Sequence, residues 1–282
     1  MNYLITGATG EIGTRVVQGL LARGERPRVF VRDAKKARAR YGDRVDVTVG
    51  DLGDAGSLQA ALRGVEKLFL VNSGPEIAGR DKTAAEAAKA EGVKHLVKLS
   101  SMDTQQQIGT GAWHARGESA IRESGMAFTF VQPTGFMSNA LWWANSIKAD
   151  GVVRSATGDG KIPFIHSDDI AAVAIKVLTT REHHRETLAI TGPEALSYGE
   201  MAAKIAAAIG KPIHSQAISE EQERDKMKEC GDSPEIIAAH LSIYRGIREG
   251  RLACVTDGVR RAIGRKPITF DQWIKENVEA FR

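Results

Sequence analysis

Cysteine is nearly absent: Cys230 and Cys254 are the only two in 282 residues. That is too few for a disulfide framework or a cysteine-based metal site, and it suits a reducing compartment with both thiols free. Long apolar runs are missing as well, none approaching the roughly 20 residues that span a bilayer. The first residues, Met1-Asn2-Tyr3-Leu4-Ile5, carry no positive charge and lead straight into glycines, unlike a signal peptide. A soluble, cytoplasmic protein is the expectation. Charge of one sign is also scarce. Lys plus Arg total 39 against 35 for Asp plus Glu, a net +4 spread along the chain, so neither nucleic acid nor a membrane is expected as a partner. With 8 prolines, 29 glycines, 42% hydrophobic and 26% charged residues, the composition excludes disorder, collagen and coiled coil. The length fits one large domain or two joined lobes with a sizeable core.

What is present is an alternation. Short β-rich apolar runs at Asn2–Thr6, Arg28–Val31, Val45–Val49, Lys67–Val71, His95–Leu99 and Ala127–Val131 alternate with amphipathic stretches at Ile12–Arg23, Ser57–Leu62, Lys82–Glu91 and His114–Glu123. Strands alternating with helices of that length imply βαβ crossovers, hence a parallel, doubly wound α/β sheet of the Rossmann kind. Beyond Pro133 the pattern loosens. Thr134–Asp150 reads as helix or loop, Gly151–Gly160 as a turn region, Ser167–Leu178 as a helix and Leu188–Ile190 as one more strand. Helices follow at Tyr198–Ala208, Glu220–Glu229, Pro234–Arg248 and Phe270–Phe281. The division expected is a dinucleotide-binding domain over residues 1–155 and a mixed segment over 156–282, which completes the sheet and forms a smaller helical substrate lobe.

Between the first strand and first helix lies Thr6-Gly7-Ala8-Thr9-Gly10-Glu11-Ile12-Gly13. Gly7 permits a tight turn, Gly10 allows backbone to approach a diphosphate, and Gly13 lets helix pack closely on strand. A diphosphate there meets unpaired amides at the positive end of the helix, so Gly7, Thr9, Gly10, Glu11 and Ile12 are candidate cofactor contacts. Arg32 ends the second strand and suits a bidentate grip on the 2′-phosphate of NADP, with Lys36 behind it. Asp33 suits either a ribose contact, as in NAD sites, or the N-cap of the next helix. NADP is favoured, with NAD the alternative.

The Gly-x-x-Gly-x-x-Gly spacing resembles that of extended and atypical short-chain dehydrogenases/reductases. The whole chain resembles the NmrA-like branch, through the glycine loop, Val31-Arg32-Asp33, Gly50-Asp51-Leu52, Leu99-Ser100-Ser101, Gln132 to Met137, Phe164 to Ile170 and Ile190 to Pro193. That branch includes quinone and dye reductases and cofactor-sensing regulators. The resemblance also places Arg32 at the phosphate and Asp51 and Leu52 at the adenine. Asn72, Ser73 and Gly74, and then Ser100, Pro133 and Phe136, complete the expected cofactor contacts. Extended members use a Ser with a Tyr-x-x-x-Lys pair for acid–base work. Here Thr110 falls where the Tyr would be and His114 where the Lys would be; no Tyr-x-x-x-Lys occurs in the chain. The departure argues against ketone reduction, which needs a placed proton donor. It suits acceptors such as quinones and cationic dyes, whose hydride adducts are stabilised, so that holding the reactants together does much of the catalysis.

Two residues are then candidates for catalysis: His114 as a late proton source and Ser101 as a hydroxyl orienting the acceptor. Phe136, Met137, Trp142 and Trp143 occupy the stretch that the family uses to roof the nicotinamide, and their faces suit a flat apolar acceptor. No metal site is expected; the adjacent His183 and His184 read as a solvated helix end. The activity expected is an NAD(P)H-dependent oxidoreductase for a flat aromatic or quinone-like acceptor, such as a tailoring enzyme of aromatic natural products, acting as monomer or homodimer. The alternative is a non-enzymatic NAD(P)-sensing regulator.

Overall fold

A computed structural model describes residues 1–282. In chain order the elements are β1 (Tyr3–Thr6), α1 (Glu11–Ala22), β2 (Arg28–Val31), α2 (Ala34–Tyr41), β3 (Asp46–Val49), α3 (Ala55–Leu62), β4 (Lys67–Leu70), α4 (Ile77–Ala90), β5 (His95–Leu99), α5 (Gly111–Glu123) and β6 (Phe128–Pro133). They continue as α6 (Ala144–Asp150), β7 (Val152–Ser155), β8 (Lys161–Ile162), α7 (Ser167–Thr179), β9 (Glu186–Ile190), β10 (Leu196–Ser197), α8 (Tyr198–Ile209), β11 (His214–Ala217), α9 (Glu220–Glu229), α10 (Pro234–Arg248), α11 (Gly258–Ile263) and α12 (Phe270–Asn277).

The alternation of side chains along each strand explains the layers. Tyr3 and Ile5 of β1, Phe69 of β4, Val97 of β5 and Val131 of β6 enter one core with α1 and α7. Their neighbours Leu4, Leu68, Leu70, Leu96 and Phe130 enter the opposite core with α3, α4 and α5. Strands apolar on both faces require helices on both faces, which is the parallel-sheet solution. Seven parallel strands follow the order β3-β2-β1-β4-β5-β6-β9. Ile5 lies opposite both Val29 and Phe69, so the order reverses at β1. A doubly wound sheet binds its ligand in the crevice at the carboxyl ends of the strands beside such a reversal.

A third core of 18 buried residues, including Met137, Trp143, Tyr198, Phe270 and Trp273, builds the lobe beyond those strand ends. Met137 to Val153 join it from the stretch just after β6, while α7 and β9 return from farther along the chain to the sheet. The Gly151–Gly160 stretch is more than turn: β7 pairs in parallel with β11, Val152 opposite His214. Every residue of β11 is exposed, so it has no apolar alternation to announce a strand. No helix is long and apolar enough to cross a membrane.

Candidate cofactor and acceptor site

The glycine loop is held from behind by its own helices. The Tyr41 hydroxyl at the end of α2 donates to the carbonyl of Ala8, as does Thr14 Oγ1 at 3.1 Å. Arg40 Nη1 donates to the carbonyl of Thr9 (3.3 Å) and to Thr14 Oγ1 (2.5 Å). With the Ala8 carbonyl drawn toward Tyr41, the trans peptide turns the Thr9 amide the opposite way. No side chain caps α1, so its first amides, at Glu11 and Ile12, have no partner in the helix. Gly7 has φ +60 and a Cβ there would meet Val71 at 2.8 Å. A Cβ on Gly13 would lie 2.1 Å from the Gly7 carbonyl oxygen. The loop is therefore a preformed row of donors closed down onto β1 and β4. Thr6 Oγ1 fixes the seam, donating to the carbonyl of Val71 (3.0 Å) and accepting from the Val71 amide (2.7 Å).

The loop floors a groove of about 350 Å³. Of the expected contacts, Gly7, Thr9, Gly10, Arg32, Asp51, Leu52, Asn72 and Ser73 line it together. The carboxylate of Asp33 caps α2, accepting from the amides of Lys35 (2.8 Å) and Lys36 (3.3 Å). The adjacent Arg32 guanidinium makes no ion pair and faces the groove. Of the two charges offered at the end of β2, the negative one is occupied and the positive one is free.

Other expectations need correction. Glu11 is in place at the first helical position, but its side chain turns away from the phosphate site, accepting from Ser138 (3.0 Å) and Ser167 (2.5 Å) and so tying loop to lobe. Ile12 is buried in the core beneath the loop, so only its amide is available. Lys36 and Gly74 are not on the groove wall. Lys36 is exposed beside it, and Gly74, at φ +87, makes the turn into α4. The Ser100 hydroxyl is buried and donates to Glu118 (2.6 Å), which also takes Gln132 Nε2 (2.8 Å). Pro133 is buried at the end of β6, opposite Ile190. Met137 and Trp143 belong to the lobe core, Trp143 packing on Tyr198 with ring centroids 4.8 Å apart. Phe136 packs against the sheet core and bridges to Ile165. Trp142 does face outward, 64% exposed, with the His240 ring of α10 beside it at 6.3 Å.

His114 is where the resemblance put it, one turn into α5, but it is buried. Burial first, and then the charge of Lys98, pull its pKa down to about 3. At neutral pH it is an uncharged imidazole, and the imidazolium expected as a proton source is not populated. Ser101 accepts from the Asp103 amide at 3.2 Å and caps a short 3₁₀ turn, Met102–Gln106, with the Asp103 carboxylate within hydrogen-bond reach of its hydroxyl. Under this end of the groove lies a dry ion pair, Lys98 Nζ to Asp81 Oδ2 at 2.6 Å with both side chains 0% exposed. Asn72 Nδ2 donates to Asp81 Oδ1 (3.2 Å), connecting that pair to the groove wall. His183 and His184 do not end a helix. They sit in a turn after α7, and the His184 ring packs on His95.

One wall residue went unread in the sequence. Arg80, in the first turn of α4, lines the groove and donates to the Ser73 carbonyl at 3.4 Å. The sequence pattern starts this helix at Lys82, which leaves Arg80 outside it, so nothing in the sequence marks the side chain as a wall residue.

The model of the NmrA-like family matches residues 2–243. The chain is 38% identical over 284 residues to an NAD(P)H azoreductase of Xenophilus azovorans, covering 99% of this chain and 98% of that one. It is 37% identical over 281 residues to a (4-alkanoyl-5-oxo-2,5-dihydrofuran-3-yl)methyl phosphate reductase of Streptomyces griseus, with the same coverage. An NADPH-dependent quinone oxidoreductase of Escherichia coli, solved with NADPH, superposes with a TM-score of 0.89 at 27% identity, covering 98% of this chain and 99% of that one.

Proposed function

This chain belongs to the NmrA-like family, and from that premise we propose that it is an NADPH-dependent reductase delivering hydride to a flat aromatic or quinone-like acceptor. The observation that carries the cofactor is the division of labour at the end of β2: Asp33 is spent on capping α2 while Arg32 faces the groove unpaired. Arg32 reads the 2′-phosphate, and the amides of Thr9, Glu11 and Ile12 hold the diphosphate with Arg80 as a second cation. The names of the relatives support the same reading, since they reduce azo, enone and quinone compounds.

Bound NADPH supplies the hydride. The protein's own part is to orient and to exclude water. Trp142 offers an exposed flat face and His240 its flank. Ser101, at the carboxyl end of β5, offers a hydroxyl to a carbonyl or quinone oxygen. Three of the four tyrosines are otherwise placed: Tyr3 and Tyr198 lie in cores and Tyr41 holds the loop. A quinone takes the hydride and then one proton from water to give the hydroquinone, while a cationic dye needs the hydride alone to give its neutral leuco form, so no strong acid is required.

Tryptophan fluorescence under NADPH and NADH titration, followed by an acceptor screen, tests the reading. NADPH is expected to bind tighter, and quinones to oxidise it in a saturable reaction. Bound NADPH left unconsumed by every quinone, azo compound and dye would transfer the case to the non-enzymatic sensor.

A further inference from the structure

Ser101 and Asp103 stand two residues apart just beyond the carboxyl end of β5, with Ser101 as the N-cap of the Met102–Gln106 turn. The Asp103 amide donates to Ser101 Oγ at 3.2 Å, and the Asp103 carboxyl comes back within hydrogen-bond reach of the same hydroxyl. The turn that sets this arrangement is pinned. Thr104 Oγ1 donates to the Ser101 carbonyl (2.9 Å) and accepts from Gln132 Nε2 (2.7 Å), while Gln106 Nε2 donates to the carbonyl of Arg251 (2.8 Å). A Cβ on Gly111 would run into the Asp103 carbonyl, so α5 closes on the turn from its other side. Ser101 and Asp103 both keep part of their surface exposed. Ser100 does not, its hydroxyl being buried on Glu118.

One proton decides which way the pair points. An ionised Asp103 has only acceptor oxygens, so Ser101 gives its hydrogen to the carboxylate and has none for a bound molecule. A protonated Asp103 donates to Ser101 Oγ instead, and the Ser101 hydrogen is released toward the crevice. Burial raises the Asp103 pKa and the Ser101 hydroxyl draws it back, to about 6, so both forms are populated near neutrality. No counter-ion holds it ionised. Of the titratable groups around the turn, His114 of α5 is neutral and Glu118 of α5 is committed to Ser100 and Gln132. Lys98 of β5 is paired with Asp81, and Arg251 with Glu249.

Resting on the reductase reading above, we propose that Asp103 is a positioning residue that supplies, through Ser101, the proton needed by acceptors whose reduced form gains an O–H or N–H. Hydride from NADPH adds to the quinone and leaves a hydroquinone anion. The Ser101 O–H bond breaks as its hydrogen passes to the anionic oxygen, and the Asp103 proton passes to Ser101 Oγ. Asp103, left as carboxylate, regains a proton from water at its exposed edge. NADPH is oxidised to NADP⁺, the quinone is reduced by two electrons, and one proton from solvent is consumed in each turnover. A cationic dye, neutralised by the hydride alone, makes no use of the relay.

The test measures kcat for a naphthoquinone and for a cationic dye, with NADPH saturating, from about pH 5 to 9. The parent's quinone rate is expected to fall as pH rises through about 6, while the dye rate stays level. Asp103→Asn is expected to lower the ratio of quinone to dye turnover about a hundredfold at the acid end, the lower reach of acid catalysis, and to flatten the quinone profile. Asp103→Glu is expected to restore part of both. Ser101→Ala lowers the same ratio, and adding Asp103→Asn to it costs nothing further, because the two act in one route. Unchanged NADPH affinity in Asp103→Asn reports an intact fold. Quinone and dye slowed alike by Asp103→Asn, a parental quinone profile retained in that variant, or additive losses in the double variant overturn the proposal while the reductase reading stands. A parent that binds NADPH and reduces neither acceptor overturns the reductase reading, and the relay with it.

Discussion

Replacing Lys98 by methionine tests how much of the site rests on the dry ion pair beneath it. The substitution keeps most of the volume but strips Asp81 of the ammonium 2.6 Å away, in a place where neither side chain is exposed to water. Removing one member of such a pair costs about 3–5 kcal/mol, because the remaining charge is buried without compensation. In a protein of this size each kcal/mol lowers Tm by roughly 2–4 °C. Asp81 also accepts from Asn72 (3.2 Å), a residue of the groove wall, so NADPH affinity is expected to fall together with stability. The double variant Lys98→Met/Asp81→Asn removes both charges and keeps an acceptor for Asn72. It is expected to recover most of the loss, since a neutral pair has no charge left to strand. Urea unfolding is the assay, with the midpoint compared at constant slope and an NADPH titration alongside. A Lys98→Met variant within about 1 kcal/mol of the parent, or a double variant no better than the single, refutes the reasoning and makes the pair no different from a surface one.

Three further outcomes follow from the same geometry. Arg32→Ala should weaken NADPH by roughly tenfold to a hundredfold, the value of a charge-assisted contact, and leave NADH nearly unchanged; equal losses in paired titrations would remove Arg32 from the phosphate. Gly13→Ala puts a methyl 2.1 Å from the Gly7 carbonyl oxygen, so the loop must shift. Loss of NADPH binding with a stability cost of about 1–3 kcal/mol is expected, and normal affinity would show that the loop is not the phosphate cradle. Asp103 is held with its pKa pushed up to about 6, chiefly by burial. A carboxyl raised above its unfolded value stabilises fully below about pH 4 and loses that contribution as pH rises through about 6. Asp103→Asn should flatten the dependence of the urea midpoint across that window, and an unchanged slope would contradict the assignment.

How far the sequence foretold the structure depended on how far apart the deciding residues lie. The strands from Tyr3 to Pro133 and the glycine loop are local patterns, and they stand within a few residues of where periodicity and turn chemistry put them. Asp33 as N-cap was also legible, because a cap and its amides are near neighbours. The β7–β11 pairing was not: it joins exposed His214–Ala217 to a strand far away in the chain, and register of that kind is a tertiary property. The aromatic stretch illustrates a second limit. Trp142 and Trp143 are adjacent, yet one is 64% exposed and the other 8%, and nothing in their order says which faces the acceptor. Ser100 looked available until Glu118, from another element, took its proton. His114 looked titratable until the fold buried it beside Lys98.

Everything above converges on hydride transfer from NADPH held in the groove to a flat acceptor. Its most direct test compares turnover of a naphthoquinone with NADPH and with NADPH deuterated at one or the other face of nicotinamide C4, under conditions where chemistry limits the rate. Saturable turnover slowed by deuterium on one face only is expected. Tight NADPH binding with no oxidation of the cofactor, or a rate indifferent to deuterium on either face, would contradict it.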